Sequence, residues 1–220
     1  MTEKIIMAAQ ARSQRRSRNE KESPDINELL VLELQQIHSA ESQLARQLPR
    51  LSKAVQSDRL REMLDERLEE GERILKEVEN ALDEMEASPG RRKNVAAEGL
   101  INDAREHVQE MERGPALDCT LIGSIQKTEH YCIAAWGTAR ALAKATGQKA
   151  AVTAMDRALK EGGPYDEKLT ALAEKEITPE LLSAESEIAE EEEAEEESES
   201  DGASRGRSQR SRESEQRASK

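Results

Sequence analysis

Apolar residues return along this chain at spacings that alternate between three and four, the rhythm of one face of an α-helix. The first series runs through Leu30, Leu34, Ile37, Leu44, Leu48, Leu51 and Val55, with one gap that Glu41 fills. Ser23-Pro24-Asp25 stands before it and reads as a helix start, with a capping hydroxyl, a proline at the first helical position and an acid in the first turn. Pro49 either kinks this helix or ends it early. A second helix is predicted from Asp58 to about Met85 through Leu60, Leu64, Ile74 and Val78, closed by Ser88-Pro89-Gly90. A third runs from about Asn94 to Glu112 and stops at Gly114-Pro115. The fourth begins near Ala116 and carries Leu121, Ile122, Ile125, Cys132, Ile133, Trp136, Ala139 and Ala143 before Gly147. Its rhythm also has one gap, which Glu129 fills.

A fifth pattern, Val152, Met155 and Leu159 followed by Leu169 and Leu172, contains Gly162-Gly163-Pro164, which should break or sharply kink it into two shorter pieces. Short connections make neighbouring helices antiparallel, whereas a ferritin-type bundle needs one longer crossover. The seam from Ser88 to Lys93 is the candidate linker between the two halves. The expected fold is therefore all-α: an antiparallel four-helix bundle over residues 24–182 with an additional C-terminal helical segment. Phe is absent and there is one Trp, so Leu, Ile, Val, Ala and Met must supply the core.

Charge divides the chain further. The net charge of -13 is spread as +3 over residues 1–23, -9 over 24–182, -11 over 183–201 and +4 over 202–220. The basic start and the acidic and then Arg/Ser-rich end have little to bury, and both are expected to be disordered. Arg205, Arg207, Arg210 and Arg212 suit nucleic acid, another acidic surface or the acidic block beside them. The absence of an accompanying aromatic or folded basic face argues against nucleic acid. No run of 18 or more apolar residues predicts a membrane span, and no signal peptide is evident. Cys119 and Cys132 fall on one predicted helix about 20 Å apart, too far to bridge, so a reducing cytoplasm is expected. A Ser/His/Asp arrangement, a phosphate-binding glycine loop and a C-x-x-C zinc pattern are all missing, which ranks hydrolase, kinase and zinc-finger functions low.

The carboxylates in the apolar seams are the candidate chemistry. A buried ionised carboxylate costs several kcal/mol unless something compensates it. Glu41 and Glu129 sit inside their stripes, and Glu70 and Asp103 lie at the edges of theirs. Four converging acids would match two divalent cations such as iron(II) or manganese(II). Alternatively Arg67, near Glu70, pairs with whichever acid faces it. His38, His107 and His130 read as surface or packing residues, and Cys132, three after Glu129, as a small core residue.

Ala40-Glu41-Ser42-Gln43-Leu44 through Leu48-Pro49, Glu129-His130-Tyr131-Cys132-Ile133-Ala134-Ala135-Trp136-Gly137-Thr138 and Asp166-Glu167-Lys168-Leu169-Thr170 through Leu172-Ala173-Glu174 resemble the YciE/YciF family of ferritin-like proteins. The resemblance covers about 150 residues. It implies a ferritin-like bundle, a homodimer, a two-metal carboxylate centre and a part in stress responses. Glu41, Glu70 and Glu129 match family acids, and Asp103 stands where a glutamate is expected. Cys132 replaces a second glutamate, Ile74 replaces a His or Gln, and Gly162-Gly163-Pro164 disrupts an acidic pair. Each departure removes a ligand or the helix that would place it, leaving one metal, weak binding or none. Two readings follow. One is a stress-associated protein holding one or two iron or manganese ions through Glu41, Glu70, Asp103 and Glu129, with at most a ferroxidase- or peroxide-consuming-type activity. The other is a metal-free dimerisation or interaction module with a charged tail.

Overall fold

The computed structural model describes residues 23–189, and the expectations for 1–22 and 190–220 lie outside the described residues. The helices are α1 (Ile26–Ala54), α2 (Asp58–Glu84), α3 (Val95–Glu110), α4 (Pro115–Thr146) and α5 (Lys149–Leu172). α5 passes through a π-helical turn at Ala173–Ile177 into further helix that reaches residue 189. The C-terminal block expected to be disordered from residue 183 is thus helical over its first seven positions.

α1, α2 and α3 each begin where a side chain takes up unpaired N–H groups. Asp25, not Ser23, caps α1: its carboxylate accepts from the N–H groups of Asn27 and Glu28, while Glu28 reaches back to the Asp25 N–H in a capping box. Ser57 caps α2 and Asn94 caps α3. Pro115 opens α4 at its first turn, and Gly147, with φ of 72°, ends it in the left-handed conformation. Pro49 neither breaks α1 nor ends it there, since helix continues to Ala54.

The four walls are α1, α2, α5 and α4, each packed on the next and α4 closing back on α1, while α3 lies against α1 and α4. Paired residues make neighbouring walls antiparallel: Ser52 with Asp65, Arg157 with Glu77, Arg140 with Asp156, and Gln56 with Asp118. α2 therefore finishes at the opposite end from the start of α4, and the chain must cross the bundle's length between them. α3 is that crossover. Its start is tied to Gln36 and Ser39 through Asn94, and Arg113, just beyond its end, donates to the carbonyl of Val55. The linker is thus a helix and not only the seam at 88–93.

Gly162-Gly163-Pro164 does not split α5, which is continuous with Pro164 inside it. Proline withholds one N–H from the preceding turn, but both halves of the helix are held by burial. Ala151, Ala154, Met155 and Ala158 pack in one half of the core, and Tyr165, Leu169 and Leu172 in the other. Gly162 has a reason of its own. A Cβ there would fall 2.6 Å from Trp136 Cζ3 and 2.7 Å from Glu129 Oε1. Replacing Gly162 with Ala is expected to lower stability by about 1–3 kcal/mol through overpacking. Gly123→Ala in α4, where an added Cβ meets nothing within 4 Å, should be neutral or stabilising by up to ~1 kcal/mol. Urea unfolding of the two variants checks this, and equal effects would remove the steric explanation.

Candidate functional site

The core falls into two apolar halves separated by a polar layer. One half contains Leu44, Leu48, Leu60, Leu64, Leu121 and Leu169, and the other contains Leu34, Ile37, Ile74, Val78, Trp136 and Met155. Between them lie Glu41 on α1, Arg67 and Glu70 on α2, and Glu129 on α4, all buried. Arg67 is fully enclosed. Its Nη1 and Nη2 donate to Glu41 Oε2 and Oε1 at 3.1 Å, and its Nε donates to Glu129 Oε2 at 2.7 Å. The planar fork of arginine suits this double engagement, which a lysine could not reproduce. The guanidinium carbon also lies 5.7 Å from the centre of the Trp136 ring, a cation–π contact.

Glycine makes room for the cluster. A Cβ on Gly71 would stand 3.1 Å from Arg67 Nη1 and 3.2 Å from Glu41 Oε2. Gly162 gives Glu129 and Trp136 the same clearance from α5. α5 thus contributes to the layer an absence of side chain where the other three walls contribute charge.

Burial and charge oppose each other here. Burial disfavours the Arg67 cation, but Glu41 and Glu129 outweigh it and hold its pKa well above the ordinary arginine value. Burial raises the Glu129 carboxyl, with Arg67 pulling the other way. Burial likewise pushes Glu70 up to about 7; Arg67 opposes this, while Glu129, Glu161 and Glu41 add to it. Cys132 is raised well above the usual thiol range, first by burial and then by Glu41. Burial therefore favours its neutral thiol form, and both Cys119 and Cys132 are free.

Of the four predicted ligands, Glu41, Glu70 and Glu129 come together and Asp103 does not. Asp103 belongs to the crossover helix, with its side chain 44% exposed and its Oδ2 3.5 Å from Lys127 and 3.6 Å from His107. Both oxygens of Glu41 and one of Glu129 are taken by Arg67. Among the described residues no three His, Cys, Asp or Glu side chains converge as a metal-binding group. A two-metal centre does not fit this donor set, because a guanidinium fills the space between the acids. His38 contacts Glu79, and His130 contacts Asp166, both away from the layer.

Two structural residues lacked a clear signal in the sequence. Asp118, buried in the first turn of α4, accepts from the backbone N–H groups of Gln56 and Ser57 at 2.9 and 2.7 Å and fixes the α1–α2 loop. Asn94 caps α3 and donates to Gln36 and Tyr131. An acid in a first turn and an Asn before an apolar run mark helix starts, but not their distant partners. A cleft of about 330 Å³ between α2 and α5, lined by Glu66, Glu69, Glu70, Arg73, Glu161 and Tyr165 among others, brings Glu70 towards the surface.

These features define a ferritin-like all-helical bundle with a helical crossover and a buried arginine–carboxylate layer. The chain belongs to the family described as Domain of unknown function (DUF892), whose pattern matches residues 25–182. It is 34% identical to protein YciF of Escherichia coli over 149 residues, covering 67% of this chain and 90% of YciF. The crystal structure of that stress protein superposes with a TM-score of 0.66, covering 69% of this chain and 96% of YciF. YcfI from Rhodopseudomonas palustris, provisionally described as a structural protein, superposes with a TM-score of 0.64 at 26% identity, covering 69% of this chain and 96% of its own. Among the described residues no helix is long and apolar enough to cross a membrane.

Two outcomes are expected from the layer. Arg67→Met strands two buried carboxylates and should cost about 3–5 kcal/mol, whereas Arg67→Met combined with Glu41→Leu and Glu129→Leu should recover most of the loss. Urea titration of the single and triple variants measures the difference. Glu70 is raised from 4.5 to about 7 in the folded chain, so the folded state binds the extra proton and stability should fall as pH rises through that window. Glu129, raised in the same direction, adds to the trend. Glu70→Gln should flatten the dependence of the unfolding midpoint between pH 5 and 8, and an unchanged slope would exonerate Glu70.

Proposed function

We propose that this protein is a metal-free member of the YciF-like stress family, a helical scaffold that works by association, in which Arg67 serves as the internal cation of the carboxylate layer. The observation that carries this reading is the engagement of Arg67 by Glu41 and Glu129 together. An arginine so placed balances charge permanently and has no exchangeable coordination position, so it supports no turnover with oxygen or peroxide. The exposed Ile26, Leu29 and Leu32 at the start of α1 support association as a homodimer. Two free thiols suit a reducing cytoplasm.

A second reading rests on different atoms. Glu70 Oε1 and Glu129 Oε1 are buried without a hydrogen-bond partner among the described residues, which favours a further cation beside Arg67. Iron or manganese held by Glu70 and Glu129, with Glu41 already paired and Asp103 remote, is the form of the metal hypothesis that this geometry leaves.

Anaerobic loading with iron(II) or manganese(II), followed by desalting and metal analysis, separates the two. Well under one ion per chain is expected, with no change in Glu70→Gln. One ion or more per chain, lost in Glu70→Gln, would replace the scaffold reading with the metal-binding one.

A further inference from the structure

The domain is acidic, yet a cleft of about 340 Å³ between α1 and α3 is lined by Arg46, Arg50, Lys93 and Arg105, with Glu98 as its only acid. Glu98 is paired with Lys93. Arg46, Arg50 and Arg105 are exposed, and none forms an ion pair or a side-chain hydrogen bond with another described residue. Arg46 and Arg50 lie one turn apart on the same face of α1, a like-charge spacing that costs helix stability. Elsewhere on this surface Arg59 pairs with Glu62, Arg73 with Glu161, Arg140 with Asp156 and Arg157 with Glu77, whereas Arg91 and Arg92 are exposed without an ion pair among the described residues. What sets the cleft apart is convergence: three unpaired guanidiniums line one concavity whose single acid is already paired. Beside them Gln47 Oε1 is buried without a partner among the described residues. Guanidinium groups bind carboxylates in paired, directional hydrogen bonds.

We propose that this cleft binds a carboxylate-rich peptide, and that its occupant is the chain's own acidic run, residues 190–201. That run carries nine acids in twelve positions. The described chain reaches the same end of the bundle, since Gln56, just past α1, donates to Glu180 at 3.0 Å. Arg50 is six residues from Gln56, about 9 Å along the axis of α1. The helical residues 181–189 carry the chain at most about 14 Å beyond Glu180. Twelve extended residues span up to about 40 Å, enough to return and reach all three arginines. This inference is independent of whether the carboxylate layer holds a metal.

Digestion of the full chain with a glutamate-specific protease, followed by mass spectrometry of cuts after Glu190 to Glu199, tests it. In low salt these cuts should be roughly tenfold slower in the native chain than in Arg46→Gln/Arg50→Gln/Arg105→Gln, with the difference abolished in ~0.5 M salt. Lys144→Gln/Lys149→Gln/Lys160→Gln, which removes equal charge at a distance from the cleft, should remain as protected as the native chain. Equal rates in the native and arginine-substituted chains would overturn the proposal. Protection that disappears on dilution would overturn the assignment to the same chain and point to a second copy.

Discussion

Arg67 carries a positive charge to the centre of the bundle, and the geometry of three walls and two glycines follows from the need to satisfy it. Removing a guanidinium and two carboxylates from water costs several kcal/mol per ion, and attraction repays that only when the hydrogen bonds are well formed. Here Glu41 meets the fork of the guanidinium and Glu129 meets Nε. The arrangement requires α1, α2 and α4 in one register, since a displacement of one turn would leave a charge facing leucine. Gly71 and Gly162 let the backbones of α2 and α5 come close enough to seal the layer. The cluster is thus a weak source of net stability but a strong source of registry between two apolar half-cores.

The crossover decides which residues can join that layer. A chain that runs α1 up and α2 down must return along the bundle before α4 can descend beside α1. The return segment, α3, packs outside α1 and α4 and is excluded from the central seam. Any acid on α3, Asp103 included, is consequently remote from Glu41 and Glu129, and α5 supplies the fourth wall. The same placement opens the groove between α1 and α3 that Arg46, Arg50 and Arg105 line.

Much of the fold was legible from spacing. The apolar rhythm located five helices, and the gaps at Glu41 and Glu129 marked the depth of the polar layer. Gly162-Gly163-Pro164 was misleading, because local propensity for a break is outweighed by the burial of both halves of α5, and Gly162 answers to Trp136 rather than to a turn. Asp103 was misleading for a different reason: its position at the edge of a stripe resembles that of Glu70, although the two helices occupy different places in the bundle.

The amino-acid sequence by itself determined the all-helical class, the approximate extent of each helix, and the presence of acids within two apolar faces, because these depend on interactions among residues three or four apart. Only the tertiary structure decided that α3 is the crossover, that α5 closes the ring, and that Arg67 rather than a fourth acid meets Glu41 and Glu129. Those outcomes depend on which helix faces which, and periodicity along one helix carries no record of its neighbour.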